Sequence, residues 1–202
     1  MKQDRKRQNI KKRPGKGLKR CLLFLLVFAA AAMALIALNL DRLERAAYPQ
    51  KYTAEVEHWA QEFGLDPMLV YAVIRTESGF KPKAESGVGA RGLMQITEET
   101  FSWIKLKHAP REEILYEDLY TADTNIRFGS YFLSRCLERY GDVPTAIAAY
   151  HSGWGKVDEL LQDPAYSQDG KTLTEFPYVQ MNLYVYKVTK AYGIYQKLYT
   201  ER

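Results

Sequence analysis

The chain has 202 residues, 47% of them hydrophobic and 26% charged, with two cysteines. That excludes a wholly disordered chain, a collagen-like repeat and a disulfide framework, and it leaves enough length for one sizeable core. The net charge of +5 is unevenly spread: residues 1–20 hold ten Lys or Arg against Asp4 alone, whereas the remainder holds 19 bases against 23 acids. The basic character therefore belongs to a tail of +9 and the body is mildly acidic at −4. A body of that sign is a poor non-specific ligand for nucleic acid, and none is expected as a partner.

Behind the tail, Cys21–Leu38 forms 18 consecutive apolar residues without Gly, Pro or charge. As a helix this run is roughly 27 Å long, close to the thickness of a hydrocarbon core. The reading is a basic cytoplasmic tail (1–20), a transmembrane signal-anchor helix (21–40) held in the cell membrane, a connector (41–52) and a body (53–202). The charged flank keeps the N-terminus cytoplasmic and sends the body outward in a single pass. A cleavable signal peptide is the competing reading, with Ala30 and Ala32 as its small-residue site; it also places the body outside the cytoplasm. Cys21 and Cys136 then lie on opposite sides of the membrane, so no internal disulfide is expected. Cys21 precedes the apolar run, which argues against a lipoprotein cysteine, and Cys136 reads as an apolar filler.

The body reads as helical throughout. Thr53 is placed as the cap of a segment to Phe63, with Val56, Trp59, Ala60 and Phe63 on one face. Asp66-Pro67 is an N-cap followed by proline at the first helical position. The helix Met68–Glu77 is apolar on nearly all sides and belongs in the core. Residues 78–91 form a Gly/Pro/Ser-rich loop. Helical pattern returns over Gly92–Lys105 and Thr121–Tyr140. Gly141-Asp142 closes one helix and caps the next, which ends at Gly153. A short helix at 155–162 and a long one at 177–199 complete the chain. With no alternating strand and no repeat, the expected architecture is one all-α domain.

Glu77 is the leading chemical candidate. It closes an almost wholly apolar helix and is followed at once by Ser78-Gly79. Partial desolvation raises a carboxyl pKa, as a general acid near neutrality requires; the plain alternative is a solvated Glu at a fraying helix end. Gly87-Val-Gly-Ala-Arg-Gly92 formally fits a dinucleotide fingerprint, but no strand precedes it and no βαβ unit surrounds it, so a nucleotide site is rejected. His58, His108 and His151 share no metal-ligand spacing and no HExxH occurs; neither metal nor cofactor is expected.

Four ordered motifs make the resemblance specific. Glu77-Ser-Gly-Phe80, Ser86 and Gly89-Ala-Arg-Gly-Leu-Met-Gln95 resemble the signature of the lytic transglycosylases of the SLT, goose-lysozyme-like family. Asn125-Ile-Arg-Phe-Gly129 with Tyr131-Phe-Leu133 is similar to that family's central helix. Ala148-Ala-Tyr-His-Ser-Gly-Trp-Gly155 is similar to its Ala-Ala-Tyr-Asn-Ala-Gly-x-Gly turn, and Phe176-Pro177 with Tyr184-Val185 to its closing element. The likeness covers about 55–200 and implies a lysozyme-like helical fold. Three departures stand out: His151 for the usual Asn, Gln180-Met-Asn182 for a Glu-Thr-Arg-like triplet, and Thr97-Glu98 after Gln95-Ile96.

The resemblance implies cleavage of the MurNAc-β-1,4-GlcNAc bond of peptidoglycan with one carboxylate. Glu77 protonates the bridging oxygen, then takes the proton of the MurNAc 6-hydroxyl as that oxygen closes on C1, giving a 1,6-anhydro end without water. An intramolecular nucleophile lessens the need for the second carboxylate of ordinary glycosidases. Tyr150 is expected to bond near Glu77 or the departing sugar. Ser86 and Gln95 are expected on the N-acetyl group or hydroxyls, and Met94 and Tyr184 along the sugar groove. His151 and Gln180 stand at substrate positions whose contacts the departures alter. Fifteen tyrosines suit a glycan surface or a core with polar-tipped fillers, the latter favoured on the last helix. A hydrolytic muramidase of the same fold and a non-catalytic wall-binding protein are the competing functions. The glycan strand and the membrane are the expected partners; the sequence names no partner among cell-wall proteins.

Overall fold

A computed structural model describes residues 16–200 of the chain, so most of the basic tail lies outside the described residues. Helix α1, Lys16–Ala47, stands as a unit of its own. Its stretch Arg20–Ala47 is long and apolar enough to cross a membrane, with a mean hydropathy of 2.9 over an 18-residue window. The connector expected from residue 41 is instead helical as far as Ala47. Asp41-Arg-Leu-Glu-Arg-Ala-Ala47 is rich in good helix formers, and nothing breaks the pattern before Pro49.

The second unit begins at Tyr48. It comprises α2 (Thr53–Glu62), α3 (Pro67–Ser78), α4 (Glu98–His108), a 3₁₀ turn at Tyr116–Tyr120, α5 (Ala122–Tyr140), α6 (Val143–Ser152), α7 (Trp154–Leu161) and α8 (Val179–Tyr199). Among the described residues the only extended pairing is two isolated bridges, Glu85 with Arg91 and Arg91 with Ile96. The fold is all-α, as the sequence led one to expect.

Helix α3 is central because it has almost no polar face: Leu69 through Ile74 are six consecutive buried residues. A helix buried all round must be covered on every side. α8 covers it most extensively, α2 packs beside it, and α6 lies against α8, α5 and α7. The start of α3 is fixed by Asp66, whose Oδ1 accepts from the Met68 amide at 2.8 Å, with Pro67 at the first position. The other oxygen of the same carboxylate accepts from the Tyr192 hydroxyl of α8 at 2.7 Å. Asp66 thus caps one core helix and fastens the other. The end of α3 is set by Gly79 at φ 58°, the left-handed C-cap glycine supplies cheaply.

Tyr184, Tyr192, Tyr195 and Tyr199 of α8 are polar-tipped fillers, whereas Tyr186 is exposed. Tyr195 is fully buried and donates to the Pro49 carbonyl, and Tyr199 donates to the Tyr48 carbonyl. Cys136 is buried, accepts from the Trp154 indole at 3.3 Å, and its thiol is pushed up to about 12 by burial.

One expected element is absent. Residues 92–97 are not helical, and α4 starts only at Glu98. Gly92 has φ 78° and Gln95 φ 51°, which no right-handed helix contains. The chain turns back on itself there, and Thr97 caps α4 by accepting from the Thr100 amide. α4 also runs three residues past the expected end at Lys105, and the 3₁₀ turn at Tyr116–Tyr120 was not expected; the other body helices start or stop within about two residues of the expected positions, as end-fraying allows.

Replacing Asp66 by Ala removes a cap and a charge-assisted bond to α8 together. The expected loss is about 2 kcal/mol of unfolding free energy, read from urea titration in detergent. Asp66→Asn keeps the cap and recovers about half.

Candidate active site

Glu77 occupies the last turn of α3, where the helix leaves the core. Its side chain opens on a cleft of about 420 Å³. The lining comes from Ser86, Val88, Ala90, Gln95 and Ile96 of the loop, Thr97, Glu99 and Thr100 at the start of α4, Phe132 of α5, and Tyr150 to Gly153 at the end of α6. Burial drives the Glu77 carboxyl up to about 7, from an ordinary value of 4.5. The Tyr184 hydroxyl donates to Oε1 at 2.5 Å and pulls the other way, because a donor stabilises the charged form. Desolvation wins. No second hydrogen bond holds the carboxyl among the described residues, so Oε2 is left to exchange a proton.

The second wall of the cleft is a loop tied by polar side chains. Asn125, fully buried on α5, accepts from the Met94 amide at 2.7 Å and donates to the carbonyls of Arg91 at 2.9 Å and Leu119 at 2.8 Å. A Cβ at Gly92 would collide with that Asn125 amide and with the Leu119 carbonyl, so this position admits only glycine. Ser78 donates to the Leu93 carbonyl at 2.8 Å, linking the end of α3 to the loop. Arg91 lies over the Tyr116 ring and pairs with Glu117 at 3.2 Å. The Tyr116 hydroxyl reaches the Gly89 carbonyl at 2.6 Å.

The residues singled out from sequence fall into three groups. Glu77, Ser86, Gln95, Tyr150 and His151 all line the cleft. Ser86 and Gln95 also brace the loop: Ser86 Oγ accepts from the Ala90 amide, and Gln95 Nε2 donates to the carbonyls of Ala84 and Gly92. Tyr184 is buried beneath Glu77, bonded to it, and is not part of the cleft lining. Met94 and Gln180 lie elsewhere. Met94 is fully buried, its sulfur filling the space left by Gly129 on α5. Gln180 is exposed on the first turn of α8, away from the cleft lining.

Tyr150 is corrected in one respect. Its hydroxyl does not reach Glu77 but donates to the Met94 carbonyl at 2.9 Å. The phenol that serves the carboxylate is Tyr184. Both phenols are pushed well up by burial, with the Glu77 charge adding to the effect. His151 stacks on the Tyr184 ring, centroids 4.3 Å apart and planes 12° from parallel. Burial holds its imidazole below the ordinary value, so it is neutral at neutral pH.

Sequence reasoning missed Glu99, Thr100, Phe132 and Ser152 in the lining, and Asn125 behind it. Thr97-x-x-Thr100 was readable as a capping signal, and Asn125, Phe132 and Ser152 lie within the family-like motifs without a role read for them; nothing local marks Glu99. Among the described residues no three His, Cys, Asp or Glu side chains gather closely enough to hold a metal ion.

These features define a lysozyme-like all-α domain with one strongly desolvated carboxyl at an open cleft. The Transglycosylase SLT domain model matches residues 55–172, and the chain belongs to that family. A transglycosylase of Enterobacteria phage PRD1 is 40% identical over 99 residues, 46% of this chain and 34% of the phage protein. Membrane-bound lytic murein transglycosylase C of Sodalis glossinidius is 29% identical over 182 residues, 78% of this chain and 49% of its own. The chain thus spans between a third and a half of those relatives. An inactive mutant of the lytic transglycosylase Slt from Pseudomonas aeruginosa superposes with a TM-score of 0.66 at 31% identity, over 74% of this chain and 24% of that one. The 70-kDa soluble lytic transglycosylase of Escherichia coli shares the fold, with a TM-score of 0.69 at 24% identity over 82% and 27% of the two chains.

The raised carboxyl makes a signed prediction. Between pH 4.5 and about 7 the native protein holds a proton at Glu77 that the unfolded chain has released. Stability therefore falls as pH rises through that window. Glu77→Gln removes the effect and should gain on the order of 2–3 kcal/mol over the parent at pH 8 relative to pH 4, read from denaturant unfolding.

Proposed function

We propose that the chain is a membrane-anchored lytic transglycosylase that cleaves the MurNAc-β-1,4-GlcNAc bond of peptidoglycan, with Glu77 as its single acid and base. The observation that carries this reading is the Glu77 carboxyl, raised to about 7 at the edge of the cleft and held by Tyr184. An acid with that pKa is substantially protonated near neutrality and is still a competent base once it has given the proton up. Family membership and the lytic transglycosylases among its relatives support the same substrate.

In the first half of the reaction Glu77 protonates the glycosidic oxygen, the C1–O bond breaks and the GlcNAc-bearing strand leaves with that proton. In the second half the ionised Glu77 removes the proton of the MurNAc 6-hydroxyl, whose oxygen forms a bond to C1. The product carries a 1,6-anhydro ring, no water is consumed, and Glu77 ends protonated as it began. Tyr184 orients the carboxyl and stabilises its ionised form between the halves. Ser86, Gln95 and His151 present polar atoms to the sugar along the cleft. Helix α1 holds the body at the membrane, with the basic tail on the cytoplasmic side and the domain outside.

A second reading rests on Glu99, a carboxylate in the same cleft lining. There it would activate water and the product would be a reducing end. Incubation of the full chain with purified peptidoglycan separates the two, because anhydro ends are lighter by one water. Anhydro products that survive Glu99→Gln and fall by about 10³-fold or more in Glu77→Gln are expected. Reducing ends that vanish in Glu99→Gln would overturn the proposal.

Tyr184→Phe tests the pull on the carboxyl. Loss of the donor raises the Glu77 pKa further, so the alkaline limb of the kcat/KM profile should move to higher pH while the maximum falls. An unmoved limb would detach Tyr184 from the reacting group.

A further inference from the structure

A second concavity, of about 380 Å³, opens between α3 and α8 and has no part in the chemistry above. Its charged and aromatic lining is Tyr48, Arg75, Tyr186, Lys187 and Lys190, and no carboxylate lines it. Arg75 lies over the Tyr48 ring at 4.0 Å, and the Lys190 ammonium reaches the Tyr186 hydroxyl at 3.5 Å. None of the three cations has an acidic partner among the described residues. Such a cluster on a body of net charge −4 is an electrostatic exception.

The surface beside it is apolar. Val179, Leu183 and Tyr186 are 71%, 46% and 57% exposed, and with Lys190 they recur at spacings of four, three and four along α8. That spacing makes one stripe roughly 16 Å long. An exposed apolar stripe rimmed by lysines, with long stems and charged tips, suits the boundary between lipid tails and headgroups. The chain also enters the domain at this groove: Tyr48 directly follows Ala47, the end of the membrane-length helix.

We propose that the Arg75–Lys187–Lys190 groove and the Val179–Leu183–Tyr186 stripe form an interfacial face that binds the phosphodiester headgroups of anionic lipids. The three cations take the phosphate, the tyrosine hydroxyls donate to its oxygens, and the apolar stripe enters the headgroup boundary. Arg75 and Glu77 are two residues apart on α3, which turns them about 200° from one another around the helix axis. Lipid bound at the groove therefore leaves the cleft facing another way. The proposal goes beyond the reaction and rests only on the reading of α1 as a membrane anchor.

The test uses the full chain in nanodiscs of phosphatidylcholine alone or mixed with phosphatidylglycerol, with lysine acetylation rates read by mass spectrometry. Acetylation of Lys187 and Lys190 should slow about fivefold in the anionic discs, while Lys81 and Lys171, outside the groove, keep their rates. Arg75→Gln should weaken the protection, and Leu183→Trp should show quenching by brominated anionic lipid. Equal rates at Lys187 and Lys190 in the two discs would overturn the proposal. So would equal protection by inorganic phosphate in neutral discs, which assigns the groove to a free anion. Protection by soluble peptidoglycan fragments with none from phosphatidylglycerol would assign it to the wall polymer and overturn it as well. A chain that fails to stay in neutral discs yet is protected by anionic ones upholds the face and removes the anchor.

Discussion

The constraint on which the structure depends is the placement of one carboxyl at the end of a helix with no polar face. α3 must be buried on every side, so whatever occupies its last turn inherits a poorly solvated position. Glu77 is held there by a single phenol, and the balance between lost hydration and that one donor sets its proton affinity. The packing of α8 on α3 is thus both the main core contact and the source of the tyrosine. Stability and reactivity draw on the same interface.

The opposite wall is made in a different way. Residues 85–96 form no regular element, and their backbone groups are met partly by local backbone bonds and partly by side chains from distant segments. Asn125 alone ties two of them, the Met94 amide and the Arg91 carbonyl, from a helix some thirty residues away. A loop fixed by buried polar bonds holds a defined shape without a sheet. It also leaves Ser86 and Gln95 with two tasks, bracing the backbone and facing the cleft.

Much of this was legible in the residues. Asp66-Pro67 and Gly141-Asp142 mark helix boundaries by local chemistry, and the apolar run ahead of Glu77 points to a buried helix with a carboxyl at its end. The four motifs carried the family. The segment 92–97 was misread because its apolar residues mimic a helical period, whereas Gly92 and Gln95 take left-handed conformations enforced by bonds to Ala84 and Asn125. Met94 looked like a groove residue because it follows a glycine loop; the missing side chain of Gly129 opens the core space that receives it. The phenol on Glu77 is that of Tyr184, expected along the sugar groove, while Tyr150, expected near Glu77 or the departing sugar, lines the cleft. Each is a phenol on a helix facing the same carboxyl, and only three-dimensional packing decides which hydroxyl arrives. The start of the connector was lost because residues 41–47 continue a helix already begun.

The hydroxyls of α8 have a consequence for biogenesis. Tyr184, Tyr192, Tyr195 and Tyr199 reach back to Glu77, Asp66, Pro49 and Tyr48, across 107 to 151 residues of chain. Contacts of such long loop closure form late. A nascent chain short of residue 184 has an unsheathed α3 and a carboxyl in water, so the pocket matures only after α8 has emerged and docked. An incomplete chain of this protein therefore lacks the desolvated carboxyl, and whatever chemistry the cleft performs waits until the domain has closed.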